Sequence, residues 1–139
     1  MLKRIISIRV RYGETDQMGI VYHGNYAVYC EVARVEFFRQ IGLPYKELED
    51  SGIMLPVTEL KMKYIKPAFY DDLLTIETSI PEIPTGVRIH FDYKIFNEKK
   101  ELLTEASSEL AFISTSNKRP VRCPKEMSDR LREIANESI

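Results

Sequence analysis

No stretch of this chain is long and apolar enough to span a membrane, and the N-terminal MLKRIISIRVRY spaces its charges too closely to hold a signal-peptide core. No transmembrane segment is expected, and a cytoplasmic location is. Cysteine is scarce: Cys30 and Cys123 lie far apart with no CxxC spacing, which argues against a zinc site or a disulfide framework and suits two free thiols in a reducing compartment. Neither sign of charge is in excess, since 20 Lys and Arg stand against 21 Asp and Glu. With no global field to attract a polyanion, nucleic acid is not an expected partner, although a local basic patch can still hold a phosphate-bearing ligand. The chain also lacks internal repeats, low-complexity tracts and a GxSxG elbow, so a repeat array and a serine-hydrolase triad are disfavoured. What is present is ordinary: 44% apolar and 29% charged residues, enough chain for one hydrophobic core. A single domain over residues 1–139 is the expectation.

Residues Ile6, Ile8, Val10 and Tyr12 alternate with Ser7, Arg9 and Arg11, the period of a strand with one buried face. From Tyr26 to Ile41 the period changes. Tyr26, Tyr29, Cys30, Ala33, Phe37 and Ile41 recur at three- and four-residue steps, which predicts a helix of about four turns. Asn25 is its expected N-cap and Gly42 its left-handed C-terminal cap. Glu31 with Arg34, and Glu36 with Arg39, are spaced for surface pairs. Residues Tyr45 to Ser51 read as a short second helix ended by Gly52. Four more strands follow: VTELKMKYI, Leu73 to Ile80, Val87 to Ile95, and Leu102 to Thr115 after an Asn97–Lys100 hairpin loop. PKEMSDRLREIA predicts a closing helix with Met127, Leu131 and Ile134 on one face. The predicted class is α+β, one long helix packed on a face of a five-stranded antiparallel sheet. One helix cannot cover five strands, so leftover apolar surface and open edges favour a homo-oligomer.

Between the first strand and the long helix lies YGETDQMGIVYHGNY, which carries an acid, Asp16, and a histidine, His23. Asp16 followed by Gly19 is good turn chemistry, so a structural role competes with a catalytic one. For the His23 ring, a solvent-facing side chain competes with a group that orients water or substrate. A metal role for the pair is not signalled, because no third ligand accompanies them. Tyr22, Tyr26 and Tyr29 suit core or pocket wall, and His90 lies on the polar side of its strand.

The stretch RYGETDQMGIVYHGNYAVYCEVARVEFFRQIGLP resembles the opening of the 4-hydroxybenzoyl-CoA thioesterase-like family, especially its acyl-CoA thioesterase branch associated with the Tol-Pal gene cluster. The TD step, Gly19, the VYH triplet, the NY that opens the helix and the Glu31-to-Arg34 spacing carry the resemblance; Cys30 departs from it, standing where relatives have an aromatic residue. The resemblance implies a hot-dog fold and acyl-CoA hydrolysis without metal or redox cofactor. It assigns Asp16 as general base or nucleophile and the main-chain amide of His23 as donor to the developing oxyanion, with Gly24 letting a ligand approach the backbone. Tyr22 and Tyr26 then belong to the substrate-binding wall. For the CoA phosphates, Lys118 and Arg119 of the NKRP loop rank ahead of Lys63 and Lys66, ordinary solvated cations being the competing reading. A homodimer or homotetramer with sites at subunit interfaces is expected. A non-catalytic acyl-CoA or acyl-carrier-protein binding module and an acyl-thioester dehydratase or hydratase are the alternatives.

Overall fold

The computed structural model describes residues 2–137. Its main sheet contains five antiparallel strands in the order β1 (Leu2–Arg9), β4 (Leu73–Ile80), β5 (Arg88–Phe96), β6 (Leu102–Ala111) and β3 (Val57–Tyr64). The 16-residue helix α1 (Asn25–Gln40) packs on one face of this sheet. Between α1 and β3 come the short helix α2 (Tyr45–Asp50) and the two-residue strand β2 (Ile53–Met54). The predicted strand from Leu102 to Thr115 breaks after Ala111, and its last part, β7 (Ile113–Ser114), leaves the main sheet to pair with β2. Helix α3 (Lys125–Glu137) closes the described chain, burying Met127, Leu131 and Ile134 as their spacing predicts.

Alternation explains which face is buried. Ile76 pairs with Ile95, and Thr78 with Tyr93, so these side chains share the face beneath α1. The helix brings Phe37 and Phe38 down onto Phe91, with ring centroids 5.8 and 5.7 Å away in edge-to-face geometry. The opposite face carries the polar half of each strand, with Glu77 opposite Lys94 and Lys94 opposite Glu105.

Helix α1 ends as its glycine predicts. Gly42 has φ +80°, its amide donates to the Arg39 carbonyl, and the Leu43 amide reaches back to the Phe38 carbonyl, a Schellman arrangement that satisfies two carbonyls of the last turn. Its start differs from expectation. Asn25 is already helical, Gly24 is the N-cap, and the Asn25 side-chain amide donates 2.8 Å to the Glu14 carbonyl instead of capping. A second difference lies mid-helix. Glu36 and Arg39 form their ion pair, but Arg34 is buried and donates 3.0 Å to the Tyr93 hydroxyl, not to Glu31. The helix face that points at the sheet includes position 34, so burial overrides the local i, i+3 pairing.

The sheet has two edges of different character. β1 is one; β3 is the other, and Val57, Leu60 and Tyr64 on it stand 44, 42 and 50% exposed. Val28 and Val32, one turn apart on α1, are also exposed. The single long helix thus leaves the β3 side uncovered, as the count of elements predicts.

Candidate active site

Asp16 and His23 line one cleft of about 390 Å³, together with Met18, Ile20, Tyr26, Tyr64 and Lys66. Local chain chemistry builds its first wall. Residues 16–19 form a tight turn in which the Gly19 amide bonds the Asp16 carbonyl, and Gly19 sits at φ +78°, a conformation that glycine adopts at little cost. The Thr15–Val21 bridge and an Ile20–Phe69 bridge pin this turn between the helix start and the segment before β4. The carboxylate of Asp16 is half-buried; its Oδ1 accepts 2.8 Å from the Met18 amide, as a turn aspartate does. Oδ2 has no hydrogen-bond partner among the described residues. The structural and chemical readings of Asp16 are therefore compatible, one oxygen serving each.

The second wall is the start of α1. The Asn25 amide bonds the Tyr22 carbonyl and the Tyr26 amide bonds the His23 carbonyl, while the amides of His23 and Gly24 have no acceptor among the described residues. Such amides carry the positive end of the helix dipole and polarise an oxygen placed before them. The His23 ring is exposed and lies against Tyr22, with centroids 4.4 Å apart. Gly24 has an ordinary helical φ, so conformation does not require glycine there. A Cβ at Gly24 would come within 2.8 Å of the Tyr22 ring, so a larger residue there has to push that exposed ring aside.

Tyr26 is buried, and burial raises its phenol above the ordinary tyrosine range. Its ring meets that of Tyr64 edge-on at 5.3 Å. Tyr64, on the edge strand β3, donates 3.2 Å to the His23 carbonyl and so helps to hold the peptide that presents the Gly24 amide. Sequence reading placed Tyr64 only as one of the apolar positions of a strand. Nothing local signals its role, because 41 residues separate it from His23.

Of the candidate phosphate-binding cations, Lys66 lines the cleft and bonds Glu101 at 2.6 Å. Lys63 lies on the outer face of β3, opposite Glu105. Lys118 and Arg119 lie elsewhere in the protomer, beside β7, where the Lys118 ammonium bonds the Thr115 carbonyl. They follow the far end of β6, a strand whose ten residues span about 33 Å. His90 is half-exposed and bonds Asp92 at 2.8 Å.

A further residue escaped the sequence reading. Glu14 sits in a single 3-10 turn just before Asp16. Its carboxylate accepts from the Arg11 amide at 2.8 Å, the Arg11 guanidinium at 3.1 Å and the Tyr29 hydroxyl at 3.0 Å. Burial pushes its carboxyl up, but these donors outweigh that and hold it below the ordinary glutamate range.

The family model described as thioesterase-like superfamily matches residues 10–131. YneP of Bacillus subtilis, a candidate acyl-CoA thioesterase, is 35% identical over 122 residues, 88% of each chain. The acyl-acyl carrier protein thioesterase ATL3 of Arabidopsis thaliana is 32% identical over 126 residues, 90% of this chain and 65% of its own length. Among solved structures, DHNA-CoA thioesterase from Staphylococcus aureus superposes with a TM-score of 0.89 at 36% identity, covering 100% of this chain and 97% of that one. The helix-on-sheet architecture is thus the hot-dog fold of these thioesterases.

Proposed function

The chain belongs to the thioesterase-like superfamily, and on that premise we propose that it is an acyl-CoA thioesterase, hydrolysing an acyl-CoA to free acid and CoA within one domain spanning residues 1–139. One observation carries the reading: Asp16, with one carboxylate oxygen unpartnered among the described residues, lines the same cleft as His23, whose amide, like that of Gly24 beside it, has no acceptor among those residues. A thioester carbonyl seated between them meets a base or nucleophile on one side and a positive dipole on the other. Asp16 either draws a proton from water or attacks the carbonyl to give a mixed anhydride that water then opens. The negative oxygen formed in either route is stabilised by the His23 amide, with Gly24 beside it. Thiolate is a good leaving group, so no strong general acid is needed.

The edge strand β3 supplies the partner. Two copies joined antiparallel along β3 exchange ends, so the NKRP loop of one protomer, remote from its own cleft, turns toward the cleft of the other. Lys118 and Arg119 then reach phosphates across the interface, while Lys66 serves from within. Tyr22 and Tyr26 wall the acyl and pantetheine path, and the reaction needs no metal or redox cofactor. Two free, buried thiols suit a reducing, cytoplasmic setting.

The test is hydrolysis of a panel of acyl-CoAs by wild type and Asp16→Asn. The expected outcome is a kcat lowered by about 100-fold or more with KM little changed. Full activity of Asp16→Asn on the best substrate overturns the assignment. Binding without turnover by wild type indicates a binding module instead.

A further inference from the structure

Glu14 touches neither the cleft nor, in the proposed reaction, the substrate, yet more of the site's internal bonds pass through it than through any other residue near the turn. Its carboxylate takes the Tyr29 hydroxyl, one helical turn beyond Asn25. Its carbonyl takes the Asn25 side-chain amide at 2.8 Å and the Tyr22 main-chain amide at 2.9 Å. Tyr22 and Asn25 bracket His23 and Gly24, and Asp16 is only two residues downstream of Glu14. One residue therefore fastens the acid-bearing turn to the helix start at three points, two through its main-chain carbonyl and one through its carboxylate.

Resting on the thioesterase reading, we propose that Glu14 is a positioning residue: with Tyr29 and Asn25 it sets the separation between the Asp16 carboxylate and the His23 and Gly24 amides. The physical reason is the sensitivity of such geometry. The turn is bonded to itself, to the segment leading into the helix and to the chain before β4, and Glu14 adds the bonds that run to α1 itself. Without the carboxylate–Tyr29 bond the turn can shift against the helix face, and a shift on the order of 1 Å costs up to about 100-fold in rate. Arg11 completes the device by neutralising Glu14 from the solvent side, so the carboxylate stays charged while Tyr29 keeps its proton; burial raises the Tyr29 phenol, and Glu14 beside it raises it further.

The test compares Tyr29→Phe, Glu14→Ala and Glu14→Gln with wild type in kcat, KM and amide hydrogen exchange over residues 15–24. Tyr29→Phe and Glu14→Ala both leave the main-chain carbonyl bonds to Asn25 and Tyr22 in place, so the first is expected to lower kcat several-fold and the second about 10-fold, with KM within about threefold. Glu14→Gln, which keeps an acceptor for Tyr29 and the Arg11 amide, recovers most of what Glu14→Ala loses. Exchange over 15–24 speeds up in step with the loss of kcat. If Glu14→Ala does not fold, Tyr29→Phe decides alone. Wild-type kcat in Tyr29→Phe, or unchanged exchange over 15–24, overturns the proposal. Should wild type hydrolyse no acyl-CoA, the thioesterase reading falls, and the exchange experiment still decides whether Glu14 ties the turn to the helix.

Discussion

At the scale of single residues, the proposed reaction divides the site into groups that act and groups that hold them. Tyr64 belongs to the second kind. Removing its hydroxyl in Tyr64→Phe leaves the ring on Tyr26 and leaves the His23 carbonyl with the Tyr26 amide alone, so kcat is expected to fall several-fold with little change in thermal stability, since a net hydrogen bond is worth about 1 kcal/mol. Steady-state kinetics beside a melting curve checks this; an unchanged kcat denies Tyr64 a part in holding the amide. Glu14 also makes a pH prediction. Its folded carboxyl lies below the ordinary value, so its contribution to stability is complete above that value and is lost as pH falls through the folded one. Wild type should therefore lose stability more steeply than Glu14→Gln below about pH 4.5, while the difference between them stays constant from pH 6 to 8. Parallel acid limbs would show that the Glu14 bonds carry no stability. Cys30 adds a simple chemical check. Fully buried, its thiol is pushed up to about 12, so alkylation at pH 8 is expected only after unfolding.

At the scale of elements, what the sequence reveals depends on the range of the forces involved. Alternation and the 3.6-residue period are local, so α1, α3 and the five strands of the sheet can be read directly, as can the glycine that ends α1. Asp16 and His23 are legible for a related reason: they occupy one short segment with a recognisable pattern, and the cleft gathers both. Three features are not legible. Arg34 turns inward because the sheet lies there, Asn25 bonds Glu14 rather than its own helix, and Tyr64 reaches His23 from a distant strand. Each is a contact between elements, and periodicity within an element carries no trace of it. The split of the last strand into β6 and β7 is similar, since β7 departs to meet β2. Packing of α1 also sets its energetic weight. Phe37 is fully buried against Phe38 and Phe91, so Phe37→Ala should cost about 3–5 kcal/mol in chemical denaturation, by lost burial and the cavity left behind. A loss below about 1 kcal/mol would mean that the helix is not anchored there.

At the scale of the whole molecule, the proposed dimer makes a prediction about exposed surface. The chain exposes 8304 Å², whereas a compact monomer of 16.2 kDa is expected to expose about 7,500 Å². The excess is comparable with the roughly 800 Å² that each partner buries in a standard interface. Val57, Leu60 and Tyr64 on β3, with Val28 and Val32 on α1, are among the exposed apolar residues available for it. Leu60→Lys is accordingly expected to lower the mass measured by light scattering to that of one chain, and to reduce turnover if the partner supplies cations to the cleft. A wild-type mass for Leu60→Lys would place the interface elsewhere.

The antiparallel order of the sheet has one more consequence, for handling the protein. β1 is the edge opposite β3, and its first residue, Leu2, pairs with Ile80, while its last, Arg9, pairs with Leu73 at the end of the sheet near the cleft. Leu2 is thus about 25 Å along the strand from Arg9, and on the edge that a β3-mediated dimer leaves open. A linker attached ahead of Leu2 would tether the molecule to a bead or electrode by the end remote from that protomer's own cleft, with the cleft of an antiparallel partner at the tethered end.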